Sequence, residues 1–142
     1  MTAKISAWVQ QTLTQVLTSM GERVPVYSDI PKGKAPATLV LHQIASATPL
    51  GGATEYAGVD ATVHIKAISP NSLVADDLAE QAIDALRHAC DMAQGYEVDG
   101  VQVPAPGSVQ VVSAPMRQPA VKTPNMPLHF EYDALISVKA TR

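Results

Sequence analysis

The side chains best able to do chemistry in this chain are four histidines, His42, His64, His88 and His129, and one cysteine, Cys90. Three of the histidines fall on stretches that read as strands. They share the face turned away from the helices, so a common metal site is geometrically open. No short His-x-His or His-Glu-x-x-His spacing supports one, and half-exposed surface histidines fit the pattern better. Cys90 lies on the apolar stripe of a helix, where burial raises a thiol's pKa and favours packing over nucleophilic attack. No serine sits in a Gly-x-Ser-x-Gly elbow. "LGGATEYAG" is glycine-rich, but no Lys-Ser or Lys-Thr follows and no helix opens there, so it is not a phosphate loop. Asp76, Asp77 and Glu80 read as the wet side of a helix rather than as a catalytic carboxylate pair, which needs opposed environments.

The elements around these residues are read from periodicity. Ile5, Trp8, Val9, Leu13, Val16, Leu17 and Met20 recur at helical spacing and give a helix over 3–20, with Gly21 where a left-handed residue often closes one. "VPVY" is a short edge strand because of Pro25. "ATLVLHQIA" is a strand with Leu39 and Leu41 on one face and Val40, His42 and Ile44 on the other, here assigned to the face away from the helices. In "VDATVHIKA" Val59, Ala61, Val63, Ile65 and Ala67 alternate with Asp60, Thr62, His64 and Lys66. Ser69 or Ser72 then caps a second helix carrying Ala75, Leu78, Ala79, Ala82, Ile83, Leu86, Ala89 and Cys90 on one face. Asp99-Gly100 inside "YEVDGVQV" predicts a hairpin with a type I′ turn. "SVQVVSA" is a further strand. The last strand has Leu128, Phe130, Tyr132, Ala134, Ile136, Val138 and Ala140 on one face. His129, Glu131, Asp133, Ser137 and Lys139 lie on the opposite face, broken only by Leu135.

This order gives an α+β fold, a mostly antiparallel sheet with two helices packed on one face, in a single domain spanning 1–142. Its 142 residues suffice for one core; 46% hydrophobic and 16% charged residues are a globular balance. Aromatics at 4% argue against a stacking platform for single strands, and a net charge of −3 argues against a duplex-binding protein. A lone cysteine excludes an internal disulfide and a cysteine zinc site. The N-terminal stretch is polar at every turn and is neither a signal peptide nor a membrane span. Nothing in the sequence asks for a cofactor.

What stands out is geometric. Long loops are expected at about 28–37, 47–58 and 115–127. The last holds Pro115, Pro119, Pro124 and Pro127, with Arg117 and Lys122 unopposed by acid; proline stiffness lowers the entropy lost when such a loop docks. The smaller loop "SDIPKGKAP" carries Lys32 and Lys34. The second sheet face mixes Val40, Ile44, Ile68 and Leu135 with His42, Thr62, His64, Lys66, Glu131 and Lys139, a composition suited to protein contact. The candidate interface is therefore Lys32, Lys34, Val40, His42, Ile44, His64, Lys66, Arg117, Lys122 and Leu135. An ordinary surface crossover for the loop and an ordinary solvent face for the sheet remain open.

The succession of an N-terminal helix, "VPVYSDIPKGKAPATLVLHQI", a polar insert and "GVDATVHIKAISPNSLVADDLAEQAIDALRHA" with a closing alternating strand resembles the tail terminator, or tail completion, proteins of long-tailed bacteriophages. The resemblance covers roughly residues 3–140 and rests on element order and character, with no catalytic motif. It implies a structural virion protein without enzymatic activity, assembled in the host cytoplasm. Such proteins form a six-fold homo-oligomeric ring that caps the tail tube, ends tail polymerisation and offers a docking surface to the head–tail connector. Genomic DNA passes through the lumen, and no membrane is involved. A small net negative charge suits a lumen that must not trap phosphate. A head–tail connector of the same neck region is the neighbouring alternative. A small-ligand-binding or enzymatic α+β domain, with a deep pocket, is the alternative from another class.

Overall fold

A computed structural model describes residues 1–29, 35–51, 57–119, 121–123 and 126–141, without the side chains of 121–123, 126 and 127. The first apolar stripe folds as helix α1 (Thr2–Val16), burying Ile5, Trp8, Val9, Thr12 and Leu13. The helix ends earlier than its periodicity suggests. The chain reverses through strands β1 (Thr18–Ser19) and β2 (Glu22–Arg23), with Met20 and Gly21 at φ 53° and 78° in the turn between them. Gly21 is left-handed as expected, but as a hairpin turn residue rather than a helix stop. Arg23 Nη1 donates to the Thr14 and Gln15 carbonyls at 2.8 Å each, satisfying acceptors that the last helical turn leaves free.

Strand β3 (Val26–Tyr27) then runs parallel to β4 (Leu39–Leu50), a short edge as expected of Pro25. β5 (Gly58–Ser69) pairs antiparallel with β4 on one side. Helix α2 (Ser72–Asp91) follows, capped by Asn71, whose Oδ1 accepts from the amides of Leu73 and Val74 at 3.0 and 3.4 Å. Neither Ser69 nor Ser72 is that cap. Ser69 Oγ instead accepts the Asn71 amide at 3.2 Å, one step before the helix. The small hairpin β6 (Tyr96–Val98) and β7 (Val101–Val103) turns on Asp99 and Gly100, both at positive φ, 50° and 80°. Trp8 Nε1 ties α1 to the approach of this hairpin by donating to the Gln94 carbonyl at 2.8 Å.

The chain closes with β8 (Ser108–Arg117), β9 (Val121–Thr123) and β10 (Met126–Thr141). The main sheet runs β3-β4-β5-β10-β8, with β9 against β10, so the long final strand lies in the middle. This is the α+β architecture expected, with α1 and α2 together on one face. The alanines of α2 let its backbone lie close over β5, β8 and β10. Across the sheet Ala61, Val63 and Ile65 register against Val138, Ile136 and Ala134, all buried beneath the helices. No helix among the described residues is long and apolar enough to cross a membrane.

Two of the three expected loops shrink. β4 runs on to Leu50 and β5 starts at Gly58, leaving 51–57 between them. The proline-rich stretch 115–127 is largely strand: Pro115–Arg117 end β8, β9 follows, and Met126 opens β10. Proline is tolerated there because β8 is an edge strand, and Pro115 falls within the register shift between the Asp133 and Leu135 pairs. β10 pairs with β5 only from Phe130 onward, so its first four residues run past the sheet with β9 alone beside them. At strand rise that overhang is about 14 Å. It forms a two-stranded arm.

Candidate functional site: the outer sheet face, its edges and the arm

Register decides which candidate residues meet. Val40 stands opposite Ala67, His42 opposite Ile65 and Ile44 opposite Val63, all on the helix side. The expectation that Val40, His42 and Ile44 belong to the outer face is therefore corrected. Val40 is fully buried in the main core, and Ile44 packs against that core half-buried. The outward residues of this stretch are Leu39, Leu41 and Gln43. Leu39 and Leu41 form a second apolar cluster with Ile68, flanked by Tyr27 and Ala35, so that end of the outer face is covered rather than open. In "LVLH" either phase buries hydrophobics, and the short pattern carries no information about which side the helices take.

His42 shows what the phase error concealed. Its ring is 1% exposed, and Nε2 lies 2.6 Å from Gln10 Oε1. The Gln10 amide nitrogen donates to the Val26 carbonyl at 2.9 Å and reaches Thr14 Oγ1 at 3.2 Å. With both amide hydrogens directed outward, Gln10 presents its oxygen as an acceptor, so His42 carries its proton on Nε2. Burial lowers the His42 pKa from 6.5 to about 4. The ring is thus a neutral strut linking α1 to β3 and β4. Nothing in the local sequence signals this; Gln10 and His42 are brought together only by the fold.

His64, Lys66 and Leu135 do share the outer face, with Leu135 directly opposite His64 and Asp133 opposite Lys66. His64 Nε2 lies 3.1 Å from Asp133 Oδ2, within hydrogen-bond reach. The Glu131 carboxyl is pushed above the ordinary glutamate range, first by burial, then by a hydrogen bond and charge from Asp133, with Lys66 and His129 opposing. With His42 on the other side of the sheet, the three strand histidines do not converge. No group of three or more His, Cys, Asp or Glu among the described residues is placed to hold a metal. Cys90 is half-buried, its thiol 3.3 Å from the Pro106 carbonyl and pushed up mainly by burial, then by the Asp91 charge. That suits packing rather than attack.

Arg117 sits at the end of β8 with its guanidinium 4.8 Å from the Phe130 ring centroid, a cation–π contact at the root of the arm. Lys32 and Lys34 lie outside the described residues. Lys122 lies on β9, its side chain outside the described ones. The ten candidates thus do not form one patch.

Sequence reading missed the edges of the sheet. β8 has no partner on its outer side among the described residues, and Val111, Val112 and Met116 are 41%, 60% and 61% exposed. On the opposite side, β3 covers β4 only at Val40 and Leu41, so among the described residues 43–50 is a second open edge. Both edges are uncharged: "QIASATPL" on β4 and "SVQVVSAPM" on β8, up to Arg117. Monomeric proteins usually place lysine or another charge on such strands to prevent pairing. The missing charge in "SVQVVSAPM" was the signal available.

A cleft of about 480 Å³ opens between the first turn of α1 and β4, lined by Thr2, Ser6, Asp29, His42 and Gln43 among others. It is broad and shallow, and the one buried titratable group in its wall, His42, is already engaged by Gln10. No protein-family model matches this chain, and no curated protein matches it.

Proposed function

We propose that this chain is a structural assembly protein of a long-tailed phage virion, a tail terminator. Copies join head-to-tail into a ring that caps the tail tube and meets the head–tail connector, without catalysis. The observation that carries this reading is the pair of long, uncharged, open edges on opposite sides of one sheet, β8 and the far part of β4. A ring requires heterologous contacts, in which one surface of a copy meets a different surface of the next. Edges on opposite sides meet that requirement, and a two-stranded arm beyond the sheet offers a reach to a third component. The element order that resembles tail terminators supports the specific assignment. The reading predicts flat edges and protruding strands in place of a deep pocket.

Light scattering over a range of protein concentrations, with and without purified tail tubes, tests it. A species near six times 15.0 kDa, about 90 kDa, or binding confined to tube ends, is the expected result. A monomer at every concentration that also ignores tube ends would overturn it.

A further inference from the structure

Among the described residues, the outer face holds one buried polar atom left without a donor, Asp133 Oδ1. Its twin, Oδ2, is taken by His64 Nε2 at 3.1 Å, and the Asp133 side chain is only 16% exposed. A buried acceptor without a partner is rare in folded proteins, because its desolvation is uncompensated. The surrounding charges are few. β5 brings His64 and Lys66, the latter opposite Asp133 in register. β10 brings Glu131 and His129 on the same side as Asp133, since alternate residues of a strand share a face. β8 sets Met116 opposite Asp133 and Arg117 opposite Tyr132, the guanidinium lying over Phe130 on the other face. β4, beyond β5, offers Leu39, Leu41 and Gln43 and no titratable group. β9 sets Val121 opposite His129, with Lys122 next along the strand.

Within this set Glu131, two residues from Asp133 on the same strand face and hydrogen-bonded to it, supplies the missing donor when its carboxyl is protonated. Two neighbouring carboxylates repel, whereas one proton between them makes a short O–H···O⁻ hydrogen bond, among the stronger kinds. Burial and the neighbouring Asp133 both favour that proton on Glu131. Position gives the pair a mechanical role as well. The Glu131 carbonyl accepts the Gln118 amide at 2.9 Å, a rung joining β8 to β10 at the base of the arm.

We propose that Glu131 and Asp133 hold one proton between them, Glu131 O–H donating to Asp133 Oδ1, and that this pair latches the root of the arm. As pH rises the proton passes to solvent, two carboxylates face each other, and the Gln118 rung loosens. The latch depends on residues of a single chain and holds whether or not copies assemble.

The test follows the Glu131 and Asp133 carboxyl carbons by NMR titration, with amide exchange at Gln118 corrected for its intrinsic pH dependence. In the wild type, Glu131 should titrate above an ordinary glutamate, and Asp133→Asn should move it back down. Gln118 protection should fall by up to about fivefold across the Glu131 titration, the size of a like-charge repulsion between strand neighbours. Glu131→Gln, whose amide can still donate to Asp133, should remove that pH dependence. A wild-type Glu131 that titrates in the ordinary range overturns the shared proton, with no variant needed. A raised Glu131 with pH-insensitive Gln118 protection overturns the latch.

Discussion

Acid should weaken this fold through His42 in a way that one substitution can isolate. In the folded protein the ring is neutral with a pKa of about 4, against 6.5 for the unconstrained side chain. Between those values the unfolded chain binds more protons than the folded one, so stability falls as pH drops. The two-state linkage integral is negligible at pH 7, about 2 kcal/mol lost by pH 5, and about 3 kcal/mol once both states are protonated. Set against a domain stability on the order of 5–15 kcal/mol, the loss should be plain in a chemical unfolding curve. The assay is urea unfolding from pH 7 to pH 4 for the wild type and His42→Gln, whose amide can donate to Gln10 but cannot ionise. Glu131 contributes with the opposite sign, since a raised carboxyl pKa stabilises the fold at low pH and loses that effect as pH rises. Glu131 is common to both proteins and cancels in their difference. The wild type should lose about 2 kcal/mol more than the variant between pH 7 and pH 5. Parallel curves would refute the reasoning. If the variant does not fold, the wild-type His42 ring resonance serves instead, and titration near 6.5 would refute it equally.

Gly58→Ala should destabilise the protein by at least about 2 kcal/mol in thermal or urea unfolding, because the added Cβ would collide with the Ala140 carbonyl oxygen at φ 151°. Ile136→Ala should cost about 3 kcal/mol, and its half-buried neighbour on the outer face, Leu135→Ala, clearly less. That contrast, read from paired unfolding curves, checks the phase of β10. Val112→Lys and Met116→Lys should leave monomer stability within about 0.5 kcal/mol yet lower the mass seen by light scattering, as charges on an edge strand prevent pairing.

The sequence made the two helices, the mostly antiparallel sheet and the Asp99-Gly100 turn readable because each has a local cause. Ile5 to Leu13 keep helical spacing over several turns, β5 alternates without interruption, and a type I′ turn asks for left-handed residues. Where the cause is tertiary, reading failed. The phase of β4 is set by pairing with β5, and "LVLH" is apolar on both sides. The segment 115–127 looks like a loop because it is proline-rich, but an edge strand and its bulges tolerate proline where a central strand would not. Of the candidate interface, His64, Lys66 and Leu135 were placed on the outer face by the alternation of β5 and β10. The open edges eluded a reading directed at charged loops. An edge is defined by the absence of a neighbour, which no single segment reports.

The central position of β10 has a consequence for synthesis. Its β5 partner is distant in the chain, Phe130 pairing with Ser69 and Thr141 with Gly58, while β8 and β9 lie just before it. β10 leaves the ribosome after every other described strand, so β5 and β8 must wait, each with a bare flank, until it threads between them. The slow step of folding should be this insertion, with many non-local contacts forming together. A nascent chain stalled before Phe130 would expose two adhesive flanks where the finished sheet has a filled slot. Chaperone demand and misassembly during expression should therefore concentrate in the interval before the last strand emerges.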